Sequence, residues 1–276
     1  MNISENRQYH ISEEELKQIQ AIQQDLIQEV ARICRKCGIH FNMVGGTMLG
    51  AIRHKGYIPW DDDADIGFLR TEYEKFREAC KSELNHEKYY MQDLRDTEGY
   101  RWGYGKLRRK NTLFLREHQE HMPYMQGVFI DVFPLDGIPN NYFLRSLKNF
   151  ECFCVRKILW SRVGKIGDKN FWKRQVYKML DKIPEKMVFR YYHIMIRNAS
   201  KKKSRMVRIL MFPTPNSEYG YYRNWYENSV DTVFEGEILQ GIRDYDSYLS
   251  FKFGAYMELP PEEKRKVHPV SDIKLF

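Results

Sequence analysis

The feature that most constrains the fold of this 276-residue chain is a cluster of four aspartates within five residues, Asp61, Asp62, Asp63 and Asp65. Neighbouring carboxylates repel one another, so the cluster raises the energy of any fold that places no positive group beside it. The largely apolar residues 66–69 follow at once and have strand character. The cluster is therefore predicted to begin a buried strand and to bind a cation.

Side chains on a strand alternate between its two faces, so Asp61, Asp63 and Asp65 are expected to share one face, with Asp62 pointing away from it. Asp63 and Asp65 would then be about 7 Å apart along the strand. This spacing suits a hard divalent cation, Mg²⁺ or alternatively Mn²⁺, which prefers oxygen ligands and keeps water molecules that a phosphate can replace. An acidic run alone is more often a solvated loop, but the apolar residues beside this one favour a metal site.

A pair of glycines, Gly45 and Gly46, stands between a predicted strand and a predicted short helix, and Thr47 follows them. Glycine lets backbone N–H groups approach a phosphate without a Cβ in the way, and a helix start attracts negative charge. Thr47 adds a hydroxyl at the same place. The pattern predicts a phosphate-binding turn beside the carboxylates, which is what metal-assisted phosphoryl transfer requires.

Four basic residues are candidates for contact with the phosphates of a donor. Arg53 and Lys55 follow the glycine turn, and the planar guanidinium of Arg53 suits two parallel hydrogen bonds to a phosphate. Lys106 and Arg108 are two residues apart on a predicted strand, so they share a face. For Lys55, Lys106 and Arg108 the alternative is exposure to solvent.

The first half of the chain alternates between helical and strand patterns. Ser12 and Glu15 form a capping-box pattern at the start of a helix of about 25 residues, which Gly38 ends. Strands are predicted over residues 40–44, 66–69, 103–115 and 127–133, the last ending at Pro134.

The second half is mostly helical in pattern, from residue 143 to residue 211. We therefore predict an α+β fold with an N-terminal helix, a mixed-sheet core and a largely helical C-terminal half. The core is placed at residues 1–142. A basic, helical part is placed at residues 143–276, either packed on the core or continuous with it.

Three blocks of the sequence resemble the LicD family of phosphotransferases. They are residues 46–66, residues 127–137 and residues 245–265, so the matches follow one another along most of the chain. The resemblance implies transfer of phosphocholine, or of another phospho-alcohol, from a CDP-linked donor to a sugar hydroxyl of a surface glycan. It also implies a nucleotidyltransferase-like mixed sheet with a third acidic residue on a neighbouring strand; fukutin-type enzymes are more distant relatives.

The resemblance assigns roles to particular carboxylates. Asp63 and Asp65 would hold Mg²⁺, and Asp61 would be a further or second-metal ligand. Asp131, in the second block, would be the third acid, either as a metal ligand or as the base that takes the proton of the acceptor. The residues alone point the same way, because Asp131 is a lone acid in an otherwise apolar strand, which is costly without a cation or partner.

The charge of the chain is unevenly distributed. Residues 145–208 contain 19 Lys/Arg and 4 Asp/Glu, a net +15, so the remainder carries 8 − 15 = −7. Basic residues interleaved with aromatic ones fit an anionic membrane surface, with a solvated basic face over an aromatic core as the alternative. Nucleic acid is not expected, because no nucleic-acid-binding motif is recognisable.

The start of the sequence has no apolar signal-peptide pattern, and its five cysteines do not suggest a disulfide framework. A cytoplasmic protein is expected, with a peripheral position at the inner face of the membrane if the basic segment binds lipid. The acceptor would then be a glycan or a lipid-linked oligosaccharide.

Three functions compete. The first is a Mg²⁺-dependent phosphotransferase that uses CDP-choline or another CDP-alcohol and releases CMP. The second is a nucleotidyltransferase that uses an NTP and releases pyrophosphate. The third is a non-enzymatic basic scaffold. The donor alcohol, the acceptor sugar, the number of metal ions and the oligomeric state are left open by the sequence.

Overall fold

The computed structural model describes residues 9–200, 204–265 and 267–276, and over these residues the chain forms eight α-helices and eleven β-strands. The helices are α1 (Glu13–Cys37), α2 (Gly45–Arg53), α3 (Arg70–Glu83), α4 (Tyr142–Gly167), α5 (Phe171–Leu180), α6 (Glu185–Ser200), α7 (Asn224–Glu227) and α8 (Tyr245–Phe253). The strands are β1 (Asn42–Met43), β2 (Asp65–Leu69), β3 (Tyr89–Gln92), β4 (Gly105–Arg109), β5 (Leu113–Arg116), β6 (Phe129–Ile138), β7 (Met206–Arg208), β8 (Tyr221–Tyr222), β9 (Ser229–Phe234), β10 (Glu237–Ile242) and β11 (Val270–Lys274). Residues 201–203 of the basic segment lie outside the described residues.

Helix α1 has the ends that the sequence predicts. The Ser12 hydroxyl accepts from the Glu15 N–H, the Glu15 carboxylate accepts from the Ser12 N–H, and Gly38 ends the helix in the left-handed region with φ of 64°. The side chains that it buries recur every three or four residues, so one face packs on the sheet.

The central sheet has the order β1-β2-β6-β4-β3, in which β2 and β6 are parallel and the other pairs are antiparallel. Helices α1 and α3 cover one face of this sheet. Phe68 of β2 stacks on Phe76 of α3, with ring centroids 4.9 Å apart. Because side chains alternate, Asp65 is on the opposite face, where the chain leaves a cavity.

Strand β6 is longer than predicted, because it continues past Pro134 to Ile138. On one side β4 pairs with β6 only as far as Val132, and β7 pairs with it from Asp136 onward. The N–H of Asp131 points to the other side, where it donates to the Ala64 carbonyl, so by alternation the nitrogen of Pro134 faces the gap between β4 and β7. The missing N–H of proline therefore costs no ladder hydrogen bond here, and the expectation that this strand ends at Pro134 is wrong.

The α+β class is confirmed, with more strand in the second half than expected. The helical pattern there resolves into α4, α5 and α6, and the strands β7 to β11 follow them. The predicted strand over residues 103–115 is two strands, β4 and β5, joined by a turn in which Asn111 has φ of 60°. The sheet runs across residue 142, since β7 pairs with β6, so the proposed division there stays a prediction. No helix in the described residues is long and apolar enough to cross a bilayer.

Candidate active site

Two carboxylates and an ammonium group form a row across the open face of the sheet. Asp65 of β2 is the register partner of Asp131 of β6, and Asp131 is the register partner of Lys106 of β4. Register partners on neighbouring strands have their side chains on the same face. The Lys106 ammonium forms an ion pair with the Asp131 carboxylate. The sheet therefore brings together three residues that are far apart in the sequence and that were each predicted to act at the site.

The remaining aspartates lie in the segment before β2, which begins only at Asp65. The strand thus begins within the cluster, as predicted, but only at its last aspartate, so strand alternation does not place Asp61 and Asp63, although both reach the same site. A hydrogen bond between the two carboxyl groups raises the pKa of Asp61 and lowers that of Asp63. Burial, followed by the charge of the neighbouring aspartates, raises the pKa of Asp61 to about 8. Burial, then Asp62, raises the pKa of Asp63 to about 6.

The pKa of the Asp65 carboxyl is raised as well. Burial raises its pKa well above the usual range, and the charges of Asp63, Asp131 and Asp61 add to the effect, whereas Lys252 opposes it. Burial and the neighbouring carboxylates therefore both disfavour the ionised form of Asp65.

Asp62 has a different environment, as its position in the cluster predicted. Its carboxylate accepts hydrogen bonds from the backbone N–H of His268, at 3.0 Å, and from the imidazole of that residue, at 2.9 Å. The Arg116 guanidinium lies 3.5 Å from its second oxygen. Asp62 thus holds the segment before β11 against the site.

The start of α2 contacts the carboxylates through its two glycines. A Cβ on Gly45 would lie 2.6 Å from an Asp65 oxygen, and a Cβ on Gly46 would lie 2.8 Å from an Asp61 oxygen. The Gly45 N–H donates to the Tyr248 hydroxyl, so it is already satisfied within the protein. These glycines make room for the carboxylates, and the proposed phosphate contact at this turn stays a prediction.

The Thr47 hydroxyl lies at the same helix start. It accepts a hydrogen bond of 2.7 Å from the backbone N–H of Asp65. This bond holds α2 to the first residue of β2 and so helps to fix the position of Asp65.

We expect Gly45→Ala to lower the activity by about 100-fold, because the added methyl group displaces the Asp65 carboxylate and an ångström of misplacement has an effect of this size. The matched control is Gly236→Ala. Both glycines have positive φ, 58° and 78°, but a Cβ on Gly236 meets no atom within 4 Å. Steady-state rates and thermal melts of both variants distinguish displacement of the Asp65 carboxylate from the backbone strain of an alanine at positive φ. If both variants lost activity equally, Gly45 would not be needed to make room for Asp65.

A cavity of about 550 Å³ opens over the row of charged residues. Lys106, Arg108 and Arg116 line one part of it. Burial lowers the pKa of Lys106 to about 8, although the Asp131 carboxylate opposes this shift. Arg108 is held in place by Gln92 and by the Gly127 carbonyl, each at 2.7 Å. The cavity therefore has a fixed cationic wall of the kind that binds phosphate oxygens.

Another part of the cavity wall is aromatic. The rings of Trp102 and Trp160 lie 5.3 Å apart, and Tyr104 and Phe212 extend the same wall, with 5.7 Å between their ring centroids. Asp168 is an acidic residue that also lines the cavity. An aromatic wall with a carboxylate suits a cationic or planar group of a ligand.

Arg53 and Lys55 do not line the cavity. The Arg53 guanidinium donates to the carbonyl oxygens of Tyr256 and Glu258, at 2.8 and 3.1 Å. Lys55 is exposed, with φ of 62°. The structure thus gives Arg53 a role in holding the loop after α8, and the proposed donor contacts of both residues stay predictions.

A divalent cation fits the site by donor type and by charge. The available ligands, Asp61, Asp63, Asp65 and Asp131, are oxygen donors. Burial, and then the charges of neighbouring aspartates, raise the pKa values of the first three, and a bound cation would favour their ionised forms. Across the part of the chain that the structure describes, no three acidic, histidine or cysteine side chains are close enough to enclose an ion. Mg²⁺ typically takes only one or two protein carboxylates and completes its shell with water and phosphate, so metal binding stays a prediction.

Several residues of the cavity were not singled out from the sequence. Arg116 lies at the end of β5, whose partner is β11, and Trp160 comes from the middle of α4. Arg116 is positioned by the pairing of β5 with β11, more than 150 residues away, and Trp160 by packing on Trp102, so no local pattern marks either residue. The tryptophan content was a signal for an aromatic subsite, but it did not say which ring takes part.

The fold and the site define the class of the protein: the chain belongs to the LicD/FKTN/FKRP nucleotidyltransferase domain family, which matches residues 38–189. It is 28% identical over 272 residues, 93% of this chain and 97% of the other, to the lipopolysaccharide cholinephosphotransferase LicD of Haemophilus influenzae. Shorter matches are to uncharacterized proteins of Rickettsia typhi, 30% identical over 91 residues, and Rickettsia prowazekii, 40% identical over 47 residues. These cover 31% and 17% of this chain, and 28% and 18% of the two rickettsial proteins. The resemblance drawn from the sequence and the phosphotransferase class of enzyme are confirmed.

Proposed function

We propose that the protein transfers phosphocholine, or a related phospho-alcohol, from a CDP-linked donor to a sugar hydroxyl of a surface glycan or of its lipid-linked precursor, and releases CMP. The observation that carries this proposal is the row of Asp65, Asp131 and Lys106 on the floor of one cavity. The relationship to a lipopolysaccharide cholinephosphotransferase along nearly the whole chain supports the choice of donor and acceptor.

Each part of the cavity has a task in this reaction. Asp63 and Asp65, with Asp61 beside them, would hold Mg²⁺, which when bound neutralises the diphosphate of the donor. Lys106 and Arg108 bind phosphate oxygens.

Asp131 accepts the proton of the acceptor hydroxyl. Its partner Lys106 holds the carboxylate in place until the acceptor arrives.

The aromatic wall supports choline as the alcohol. A quaternary ammonium group gains cation–π energy over the faces of Trp102 and Trp160, and Asp168 supplies an opposite charge in the same cavity. Glycerol and ribitol carry hydroxyl groups and would find few partners on this wall. All five cysteines are free, which fits a reducing compartment on the side of the membrane where CDP-linked donors are made.

The test is a panel of CDP-choline, CDP-ethanolamine, CDP-glycerol and CDP-ribitol, each with Mg²⁺ and a glycan acceptor, with release of CMP as the readout. The same protein is assayed with the four NTPs for release of pyrophosphate. CMP from one CDP-alcohol supports the proposal. Consumption of an NTP while every CDP-alcohol stays intact would establish nucleotidyl transfer instead, and no turnover of either class would favour the scaffold.

For the donor headgroup, we expect Trp160→Leu to raise the KM for CDP-choline by about 2- to 30-fold, the range that a cation–π contact supplies. Trp160→Phe keeps an aromatic face and should recover part of the loss. Inhibition by CMP, which has no choline, is the control and should not change. An equal loss of CMP binding would show that Trp160 stacks on the cytosine ring.

A further inference from the structure

Three successive helices each expose a stripe of large apolar side chains at spacings of four and three residues. The stripes are Phe143, Leu147 and Phe150 on α4, Trp172, Val176 and Met179 on α5, and Met187, Tyr191 and Ile194 on α6. The exposed fraction is 67% for Phe143, 75% for Trp172 and 70% for Met179. A stripe at this spacing is the face that a helix normally buries, yet here nothing in the described chain covers it.

The helices are packed so that the stripes belong to one surface. Tyr177, on the side of α5 opposite to Trp172, is buried against Gly164 of α4, and its hydroxyl accepts from Lys157. Gly164, Lys157 and Phe150 follow one another at seven-residue spacing on one face of α4. Helix α5 covers the C-terminal half of this face of α4 and leaves the N-terminal half uncovered. The α4 stripe and the α5 stripe are therefore both exposed.

Helix α6 lies beside the bare half of α4. The Tyr191 hydroxyl, within the α6 stripe, donates to the Glu151 carboxylate on α4 at 2.5 Å. This contact places the α6 stripe next to Phe150 and Phe153, whose rings are 6.5 Å apart.

The charge of this surface has a single sign. The exposed ionised residues of α4, α5, α6 and their connections are all basic: Lys169, Lys173, Lys178, Lys182, Lys186, Arg190 and Arg197. The four acids between residues 142 and 199 are all partly buried. Asp181 and Glu185 pair with Arg162, and Glu151 pairs with Lys148.

We propose that this surface docks on an anionic lipid bilayer. Bulky apolar and aromatic side chains would enter the interfacial region, while the lysines around them contact lipid phosphates. The absence of exposed acids between residues 142 and 199 gives the surface the charge complementarity that an anionic membrane requires. An apolar protein partner would account for the stripes but not for the seven basic residues between and around them.

The proposed docking bears on access to the cavity. Trp160, Val163 and Gly167 of α4 line the cavity, so one helix forms both a cavity wall and part of the proposed membrane surface. An acceptor anchored in the bilayer would reach the cavity along α4. Docking itself does not depend on the transfer reaction, and it is measured separately from it.

The test uses the full chain in co-sedimentation with vesicles of phosphatidylcholine alone or with about 30% phosphatidylglycerol. We expect binding to the anionic vesicles, and weaker binding in about 1 M NaCl, where the screening length falls to about 3 Å. Lys173→Glu/Lys178→Glu and Trp172→Ser/Met179→Ser should each lower the vesicle partition coefficient by about tenfold or more.

Matched controls come from the rest of the surface. Lys17→Glu/Lys264→Glu makes the same change in net charge, and Ile238→Ser removes a side chain that is 61% exposed on β10; both should bind vesicles like the unaltered protein. Circular dichroism and CMP release with a water-soluble acceptor confirm that the variants are folded. No binding to anionic vesicles, or equal loss in the controls, overturns the inference. So does a dimer, seen by sedimentation without lipid, that the α5 substitutions dissociate, because the occupant is then a second copy.

Discussion

Asp65→Asn is expected to lower the transfer activity by roughly 10²–10⁴-fold and at the same time to make the metal-free protein more stable. The loss of activity follows from the place of Asp65 beside Asp131 in the charged row. The gain in stability follows from the raised pKa of Asp65, since a carboxyl that is buried among other carboxylates is held in its ionised form at a cost. Asparagine keeps the shape and removes the charge.

The measurement pairs turnover with the midpoint of thermal unfolding in a chelator, where each kcal/mol corresponds to about 2–4 °C for a protein near this size. The control is Asp96→Asn, an exposed carboxylate paired with Arg77, which should leave both quantities nearly unchanged. A less stable Asp65→Asn protein would contradict the electrostatic account. Added Mg²⁺ should raise the midpoint of the unaltered protein and not that of the variant.

Asp136→Ala is expected to destabilise the protein by about 3 kcal/mol, the low end of the cost of breaking a buried ion pair, because the Arg70 guanidinium keeps the partly exposed Glu74 carboxylate at 3.1 Å. Asp136 is fully buried, and both of its oxygens accept from the Arg70 guanidinium, at 2.8 and 2.6 Å. Arg70 is 8% exposed and begins α3, so the pair fixes this helix to β6.

The double variant Arg70→Met/Asp136→Leu separates a lost interaction from an unpaired charge. Well-packed apolar residues often replace a buried ion pair without loss, so the double variant should be much closer to the unaltered protein than Asp136→Ala is. Denaturant melts of the three proteins give the comparison. If the double variant were as unstable as the single one, the pair would itself be the source of stability.

A feature of the structure could be predicted when the residues that determine it lie close together in the sequence. The ends of α1 could be predicted because Ser12, Glu15 and Gly38 act on backbone groups within a few residues of themselves. The carboxylate cluster and the lone acid Asp131 could be predicted as parts of one site because burying them without compensation is costly. That they meet as register partners could not be read from either segment alone.

Other features depend on neighbours that only the fold supplies. Pro134 was expected to end β6, and it does not, because the gap between β4 and β7 falls beside its nitrogen. Arg116 reaches the cavity because β11 pairs with β5 from more than 150 residues away. Conversely, the position of Arg53 shortly after the glycine turn suggested that it binds phosphate. In the structure its guanidinium donates to two backbone carbonyls instead.

The pairing of β5 with β11 also has a consequence for synthesis of the protein. His268 and Pro269 line the cavity, and β11 ends at Lys274, so a growing chain has all four aspartates of the cluster and Asp131 well before it has this wall. At about 5–20 residues per second, roughly 8–30 s separate the translation of β5 from that of β11. During this interval the edge of β5 lacks its strand and Asp62 lacks the backbone N–H of His268. The wall of the cavity that His268 and Pro269 form is therefore completed only after β11 has been synthesised.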